Sequence, residues 1–450
     1  MVERDTFAAR LGDRPLMVVA GRVTRVTGLT VEARGVTAPV GELCRIARRA
    51  GPPLLAEVVG FNETRALLMP LGDLTGVAPG DRIRTTGRPV RVRMGDALLG
   101  RVIGPLGEPL DGRGELSVGS DVGVLRQPPP AMSRQPIRTP LATGVRVLDG
   151  VLTCGRGQRL GIFAGSGVGK STLLGMIARS TEADVNVIGL VGERGREVQE
   201  FIQRDLGPVG LARSVVVVAT SDTPALLRRQ AAMLATGVGE YFRDQGRSVL
   251  LMVDSLTRFA MAQREIGLAA GEPPTTRGYP PSAFALLPQL LERAGPGSGE
   301  GSITALYTVL VEGDDMNEPV ADAARAILDG HIVLSRALAD RGQYPPVDVL
   351  TSVSRVMPQV TSASHHAAAG RVREALGVAR EVEDLVRIGA YVAGSDQKAD
   401  WALAHLPAIQ GFLRQTVDEC SPFTQTVADL EALWRATDKP GGAQSKRGNT

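Results

Sequence analysis

Between Gly161 and Leu174 the chain reads GIFAGSGVGKSTLL, an apolar run that gives way to small residues and then to Lys170, Ser171 and Thr172. Small residues at a strand-to-helix transition let successive backbone N–H groups turn toward one point at the positive end of the helix, and that is a way to hold a phosphate chain. In this geometry Gly165, Ser166, Gly167, Val168 and Gly169 surround the phosphates, and Lys170 reaches the β- and γ-phosphates. A hydroxyl from Ser171 or Thr172 goes to Mg²⁺, with the register of the GKS core favouring Ser171. The strict pattern asks for glycine six residues before the lysine, where this chain has Ala164. Lys170 also stands out by rarity. Only Lys170, Lys398, Lys439 and Lys446 interrupt a chain that writes its other positive charges as arginine, so this position calls for a compact ammonium on a flexible stem.

Two carboxylates complete the chemistry. Asp254 ends the apolar run SVLLMVD, where it could hold the shell of a magnesium ion, although a strand-end aspartate is by itself more often a cap. Glu193, in GLVGERGRE, falls just past another strand-like run and is placed to orient a water for hydrolysis. The competing reading makes Glu193, Arg194, Arg196 and Glu197 a solvated charged turn, and spacing alone leaves the two nearly even.

These residues need a scaffold that brings strand ends together. The runs RLGIF, VNVIGLV, VVVVAT, VLLMVD and ITALYTVL alternate with helical patterns, which predicts a parallel sheet covered on both faces. One helix is well marked: Thr223 as cap, Pro224 in the first turn, an apolar face through Leu227, Ala231, Leu234, Val238 and Tyr241, and Gly246 as the stop. Short β-prone runs broken by glycine turns predict a small closed β-domain over 17–116, and a proline-rich stretch predicts a linker over 117–144. The central α/β unit spans 145–357, a helical region 358–436, and an apolar-poor tail 437–450 is expected to be disordered.

Composition narrows the class. A net charge of +3 with scattered basic residues gives no extended nucleic-acid surface. Three separated cysteines and four histidines give no zinc pattern, and all three cysteines are expected as reduced, buried thiols. No long apolar stretch opens the chain, so a cytoplasmic protein able to dock on a membrane assembly is expected.

GLVGERGRE, GEPPTTRGYPPSAF, DDMNEP and QYPPVD, together with the glycine loop, closely resemble the ATPase family that energises flagellar protein export and its injectisome counterparts, itself similar to the catalytic subunits of rotary ATP synthases. The likeness runs from about residue 17 to 435. It implies a β-barrel, a RecA-like P-loop domain and a helical C-terminal domain. It also implies hydrolysis of MgATP, with Lys170 and Ser171 on phosphate and Mg²⁺, Asp254 as the second magnesium residue, and Glu193 polarising the attacking water. Arg194 and Arg258 match arginines near the site, Tyr344 matches the ring that stacks on adenine, and Phe412 or Phe423 could cover the other face. Arg355 matches the arginine finger that reaches the γ-phosphate held by the neighbouring subunit, which implies a homohexamer. The implied partners are a regulatory stator protein recruited by residues 1–16, a central stalk protein, export chaperones and substrates, and a membrane export gate at the inner membrane. Nucleic acid is not among them. Injectisome secretion is the alternative, and a hexameric nucleic-acid translocase or a noncatalytic nucleotide-binding subunit stands further off. The glutamate at 193 speaks for the catalytic form.

Overall fold

The first six strands close on themselves, each turning part of its residues inward. β1 (Ala20–Thr27), β2 (Thr30–Arg34), β3 (Leu43–Ile46), β4 (Leu54–Asn62), β5 (Arg65–Pro70) and β6 (Arg82–Thr85) form a closed antiparallel barrel in the order β1-β2-β5-β4-β3-β6. Val23, Val31, Cys44, Ile46, Val58, Leu68 and Ile83 point inward and fill it. Closure leaves no unpaired edge, which is how a domain this small protects its backbone hydrogen bonds. The computed structural model describes residues 20–116, 119–311, 313 and 315–435. The expected recruitment segment and tail lie outside them.

The barrel ends earlier than the sequence predicts. β7 (Arg91–Met94) pairs instead with β9 (Ser120–Gly123), and β8 (Arg101–Ile103) runs parallel to a strand of the central sheet, Val102 beside Val216. The expected span of 17–116 is therefore too long. A three-residue apolar run carries no information about which sheet it joins; that is set by the partner it meets in space.

The remaining strands are β10 (Arg159–Ala164), β11 (Val185–Glu193), β12 (Ser214–Thr220), β13 (Ser248–Asp254), β14 (Gly295–Pro296), β15 (Ser302–Leu310), β16 (Gly330–Leu334) and β17 (Val353–Ser354). Among the described residues they build one sheet in the order β17-β16-β10-β15-β13-β11-β12-β8, with β14 beside β15. β8, β10, β11, β12, β13, β15 and β16 are parallel, and β14 and β17 are antiparallel to their partners. The first eight residues of β11 and all of β13 are buried, as expected for parallel strands covered by helices on both faces. The order places the C-terminal ends of β10, β13 and β11 near one another, which is where a doubly wound sheet holds its ligands. Helices Ala363–Arg387, Gln397–Leu413 and Phe423–Arg435 follow and share the core with helix Arg146–Val151. Trp401 stacks on Trp434 at 5.7 Å, and Arg371 lies over the second ring.

The expected amphipathic helix forms over Ala225–Asp244, but it starts after Pro224, and the Thr223 hydroxyl lies 3.2 Å from that of Thr220. Gly246 stops it with φ +83°. Its middle is not amphipathic: Gln230 to Glu240 are buried on every face. The charge this brings inside is paired. Glu240, 1% exposed, accepts from Arg293 Nε at 2.9 Å and Nη2 at 2.8 Å, and Arg293 Nη2 also donates to the Val124 carbonyl. Glu240→Ala leaves a buried guanidinium without its counter-charge and is expected to cost about 3–5 kcal/mol. Urea unfolding followed by circular dichroism measures it, and an unshifted midpoint contradicts the role assigned to the pair.

Cys44 and Cys154 are buried. Burial, helped by the nearby Glu42 charge, pushes the Cys44 thiol up to about 12, so it is an inert packing group. The third cysteine corrects the sequence expectation: Cys420 is exposed, because it sits on the loop between the last two helices rather than on a packed face.

Candidate active site

β10 ends at Ala164, and a helix starts at Lys170. The five residues between them make the turn. Gly167 and Gly169 have φ of +77° and +98°, and nothing lies within 4 Å of where a side chain would begin at either. They are needed for backbone conformation, not for room. Ala164 needs no such freedom. It is the last residue of β10, 1% exposed and paired in register with both Leu310 and Leu334, so a methyl group is accommodated where the strict motif has glycine. Val168 turns its side chain into the core, leaving its backbone for the loop. Arg336 Nη2 donates to the Ser166 carbonyl at 2.6 Å and braces the loop from outside.

The sheet order brings together the groups that sequence reading kept apart. Lys170 Nζ donates to Asp254 Oδ1 at 2.5 Å and lies 3.7 Å from Glu193 Oε1. Thr308 Oγ1, from β15, donates to the same Oδ1 at 2.7 Å. Thr308 was missed, yet a polar residue inside the apolar run ITALYTVL is a readable signal. Burial alone would lower the Lys170 pKa, but the Asp254 and Glu193 charges outweigh it and the ammonium is held protonated. Glu193 moves the other way: burial first and the Asp254 charge second, opposed by Lys170, push its carboxyl up to about 7. Two buried polar atoms here have no hydrogen-bond partner among the described residues, Glu193 Oε1 and Arg258 Nε.

Both line a cleft of about 540 Å³ together with the loop glycines, Lys170, Ser171, Thr172, Arg194 and Ser221. Among the described residues Arg194 is paired with Glu197, at 2.9 Å on an exposed stretch. A cleft this size, lined by the glycine loop at a helix N-terminus, a buried ammonium and two orphaned polar atoms, fits a polyphosphate. Ser171 lines it with a hydroxyl and Asp254 stands just behind, bonded to the Lys170 ammonium that lines it; one hydroxyl and one carboxylate are the sparse donor set that suits a magnesium ion shared with phosphates. No cluster of three His, Cys, Asp or Glu able to hold a metal by itself occurs among the described residues.

Two expected participants stand apart. Tyr344 is 51% exposed and does not line this cleft; its carbonyl accepts from Gln415 N at 2.9 Å. Neither proposed partner ring is free to join it. Phe412 is packed into the core against Gly150, and Phe423 meets His365 edge-on at 6.0 Å. The exposed apolar side chain on the segment tied to Tyr344 is Val417. Arg355 follows β17, which pairs with the start of β16, Ser354 opposite Gly330. Since His331 is level with Gly161, Arg355 sits beside the beginning of β10 while the glycine loop leaves its end. Five residues of strand separate those levels by roughly 16 Å. Arg355 is not part of its own chain's cleft.

A barrel, a parallel sheet with a P-loop at one strand end, an aspartate at the next and a buried glutamate beside it define a P-loop ATPase of the ATP synthase alpha/beta type. Comparison with known proteins agrees along the chain. Residues 144–354 match the nucleotide-binding domain of the ATP synthase alpha/beta family, 23–87 its beta-barrel domain, and 361–432 the T3SS EscN ATPase C-terminal domain. The chain is 55% identical over 415 residues to the flagellum-specific ATP synthase of Bacillus subtilis, covering 92% of this chain and 94% of that one. It is 54% identical over 438 residues to the type 3 secretion system ATPase of Xanthomonas euvesicatoria, covering 97% of each. It superposes with a TM-score of 0.85 on the assembled ATPase EscN in complex with its central stalk EscO from enteropathogenic E. coli, at 44% identity over 92% of this chain and 99% of that one. The chain belongs to the family of flagellum-specific and type III secretion ATPases.

Proposed function

We propose that six copies of this chain form a cytoplasmic ring at the inner membrane, hydrolyse MgATP there, and use the energy to release substrates from chaperones, unfold them and feed them to a flagellar export gate. The ring rests on one observation, the position of Arg355. It sits at the wrong end of the sheet for its own cleft, so the cation it carries can serve only the cleft of a neighbour. The export assignment rests on similarity over nearly the whole chain to the flagellum-specific relative. A regulatory stator and a central stalk are proposed partners, the stalk because the EscN relative is described with one. No helix among the described residues is long and apolar enough to cross a membrane, which accords with peripheral attachment.

In this reading Lys170 leaves Asp254 for the phosphates, and Asp254 with Ser171 holds the magnesium ion. When bound, that ion supplies charge neutralisation on the β- and γ-phosphates. Glu193 Oε1, buried and unbonded, accepts a hydrogen bond from the attacking water and draws off its proton. Tyr344 takes the adenine ring, with Val417 offering an apolar neighbour. The backbone amides of the loop and the guanidinium of the neighbour's Arg355 meet the charge that spreads over the transferred phosphoryl.

Deleting the gene in its own organism tests the export role. Hook and filament proteins are expected to vanish from the medium and return with the wild-type gene but not with Glu193→Gln. Retained motility with lost effector secretion would move the protein to the injectisome branch, which the 54% identical relative favours as the second reading.

A further inference from the structure

The finger residue is held without a carboxylate. Arg355 makes two hydrogen bonds among the described residues, its N–H to the Asp329 carbonyl at 3.1 Å and its Nη1 to the Leu328 carbonyl at 3.2 Å. A carbonyl tether is weaker than a buried ion pair, so it can hold a guanidinium in place and still release it to a phosphate. The quality of that tether then depends on what fixes the 328–329 backbone.

Asp329 is fixed on the start of β10 from several sides. Its carboxylate takes both arms of the Arg159 guanidinium, Nε to Oδ2 at 3.0 Å and Nη2 to Oδ1 at 3.1 Å, and also the Arg159 backbone N–H at 3.0 Å. Its own N–H donates to the Arg159 carbonyl at 2.9 Å. Gln158 Nε2 donates to the Asp329 carbonyl at 3.1 Å and to Ser354 Oγ at 3.0 Å, stitching the residue before Arg355 to the same spot. Gly330 lets the strands close up, since a Cβ there would lie 2.4 Å from the Val353 carbonyl oxygen.

We propose that Asp329, clamped by Arg159, is a positioning residue for hydrolysis in the neighbouring subunit, setting where the Arg355 guanidinium stands. This rests on the reading of Arg355 as a finger acting across subunits. The seat lies at one end of β10 and the phosphate loop at the other, so one rigid strand joins a subunit's own nucleotide to the cation it lends next door. Asp329 is not the sole counter-charge that keeps the core intact. Arg159 Nη1 is also 2.5 Å from Glu292, so the guanidinium stays paired when Asp329 is neutralised.

The test is a double-mutant cycle on the full-length assembled protein, with steady-state ATPase kinetics, ATP-analogue binding and thermal unfolding on each variant. Asp329→Asn is expected to lower kcat by roughly 10²-fold, the order expected for a displaced catalytic group, with KM for ATP unchanged. In the Arg355→Ala background the same change is expected to cost nothing further, because the group being positioned is gone. Arg159→Lys, which keeps the charge and loses the fork, supplies a second arm with a smaller kcat loss and the same non-additivity, and it decides the matter if Asp329→Asn does not fold. Equal losses with and without Arg355, or no loss beside an Arg355→Ala that is itself impaired, overturn the positioning role alone. An Arg355→Ala protein at full activity overturns the finger itself.

Discussion

Arg355→Ala is expected to lower turnover of the assembled ATPase by roughly 10³–10⁵-fold, the range an arginine finger contributes by stabilising spreading charge in phosphoryl transfer. The same substitution is expected to leave binding of an ATP analogue to each subunit's own loop intact, because Arg355 stands about a strand length from that loop and its hydrogen bonds among the described residues go to the Leu328 and Asp329 carbonyls. An arginine with a purely local role predicts a far smaller loss, since exposed guanidinium contacts contribute little. Mixing resolves the direction of the lending. Lys170→Ala subunits have no phosphate grip but an intact finger, and Arg355→Ala subunits the reverse. Combined, they should regain activity at every interface that joins an intact loop to an intact finger. Inactive mixtures at all ratios, with assembly verified by light scattering, would falsify donation between subunits.

Glu193→Gln is expected to spare nucleotide binding and to lower turnover by about 10²–10⁴-fold, the usual weight of a lost proton acceptor. Oε1 is buried and carries no hydrogen bond, so it is held ready for a water that the amide variant can no longer deprotonate. The environment also sets a pH dependence. Burial and the adjacent Asp254 charge raise the carboxyl to about 7, against an ordinary 4.5. The working form is the ionised one, so kcat/KM for ATP should fall as pH drops through 7 rather than holding down to the usual carboxylate range. The residual activity of Glu193→Gln should lack that limb. Because both burial and Asp254 oppose the charge, the glutamine variant should unfold at no lower temperature than the wild type. A wild-type profile flat from pH 6 to 8 would refute the assignment of Glu193 as the titrating group.

How much of this was readable beforehand differs from element to element. The glycine loop is a local object: a strand, five residues of which Gly167 and Gly169 take positive φ, and a helix start. Chain order alone determines it, and it forms where it was read, with Ala164 tolerated because it belongs to the strand. The long apolar runs of β10, β11, β12, β13 and β15 were equally plain, since burial on both faces leaves no polar alternation to misread. Short segments were not. Arg101–Ile103 reads like any barrel strand and joins the other sheet. The helix Ala225–Asp244 reads as one-faced, yet its middle is enclosed because its polar members are matched by partners such as Arg293, 53 residues away.

Residue types in order along the chain pointed by themselves to a phosphate grip with its lysine and hydroxyl and to the family the chain resembles, while the spacing left Asp254 readable as a cap and Glu193 as part of a charged turn. Only the tertiary structure decided that Lys170 lies between Asp254 and Glu193, that Thr308 backs the aspartate, and that Arg355 stands at the far end of the sheet from its own loop. The reason is one of range. Backbone conformation and hydrophobic period act over a few residues and are written in the chain. Coulomb interaction and desolvation act through space between groups such as Lys170 and Asp254, 84 positions apart, and only strand order brings those groups within a few ångströms.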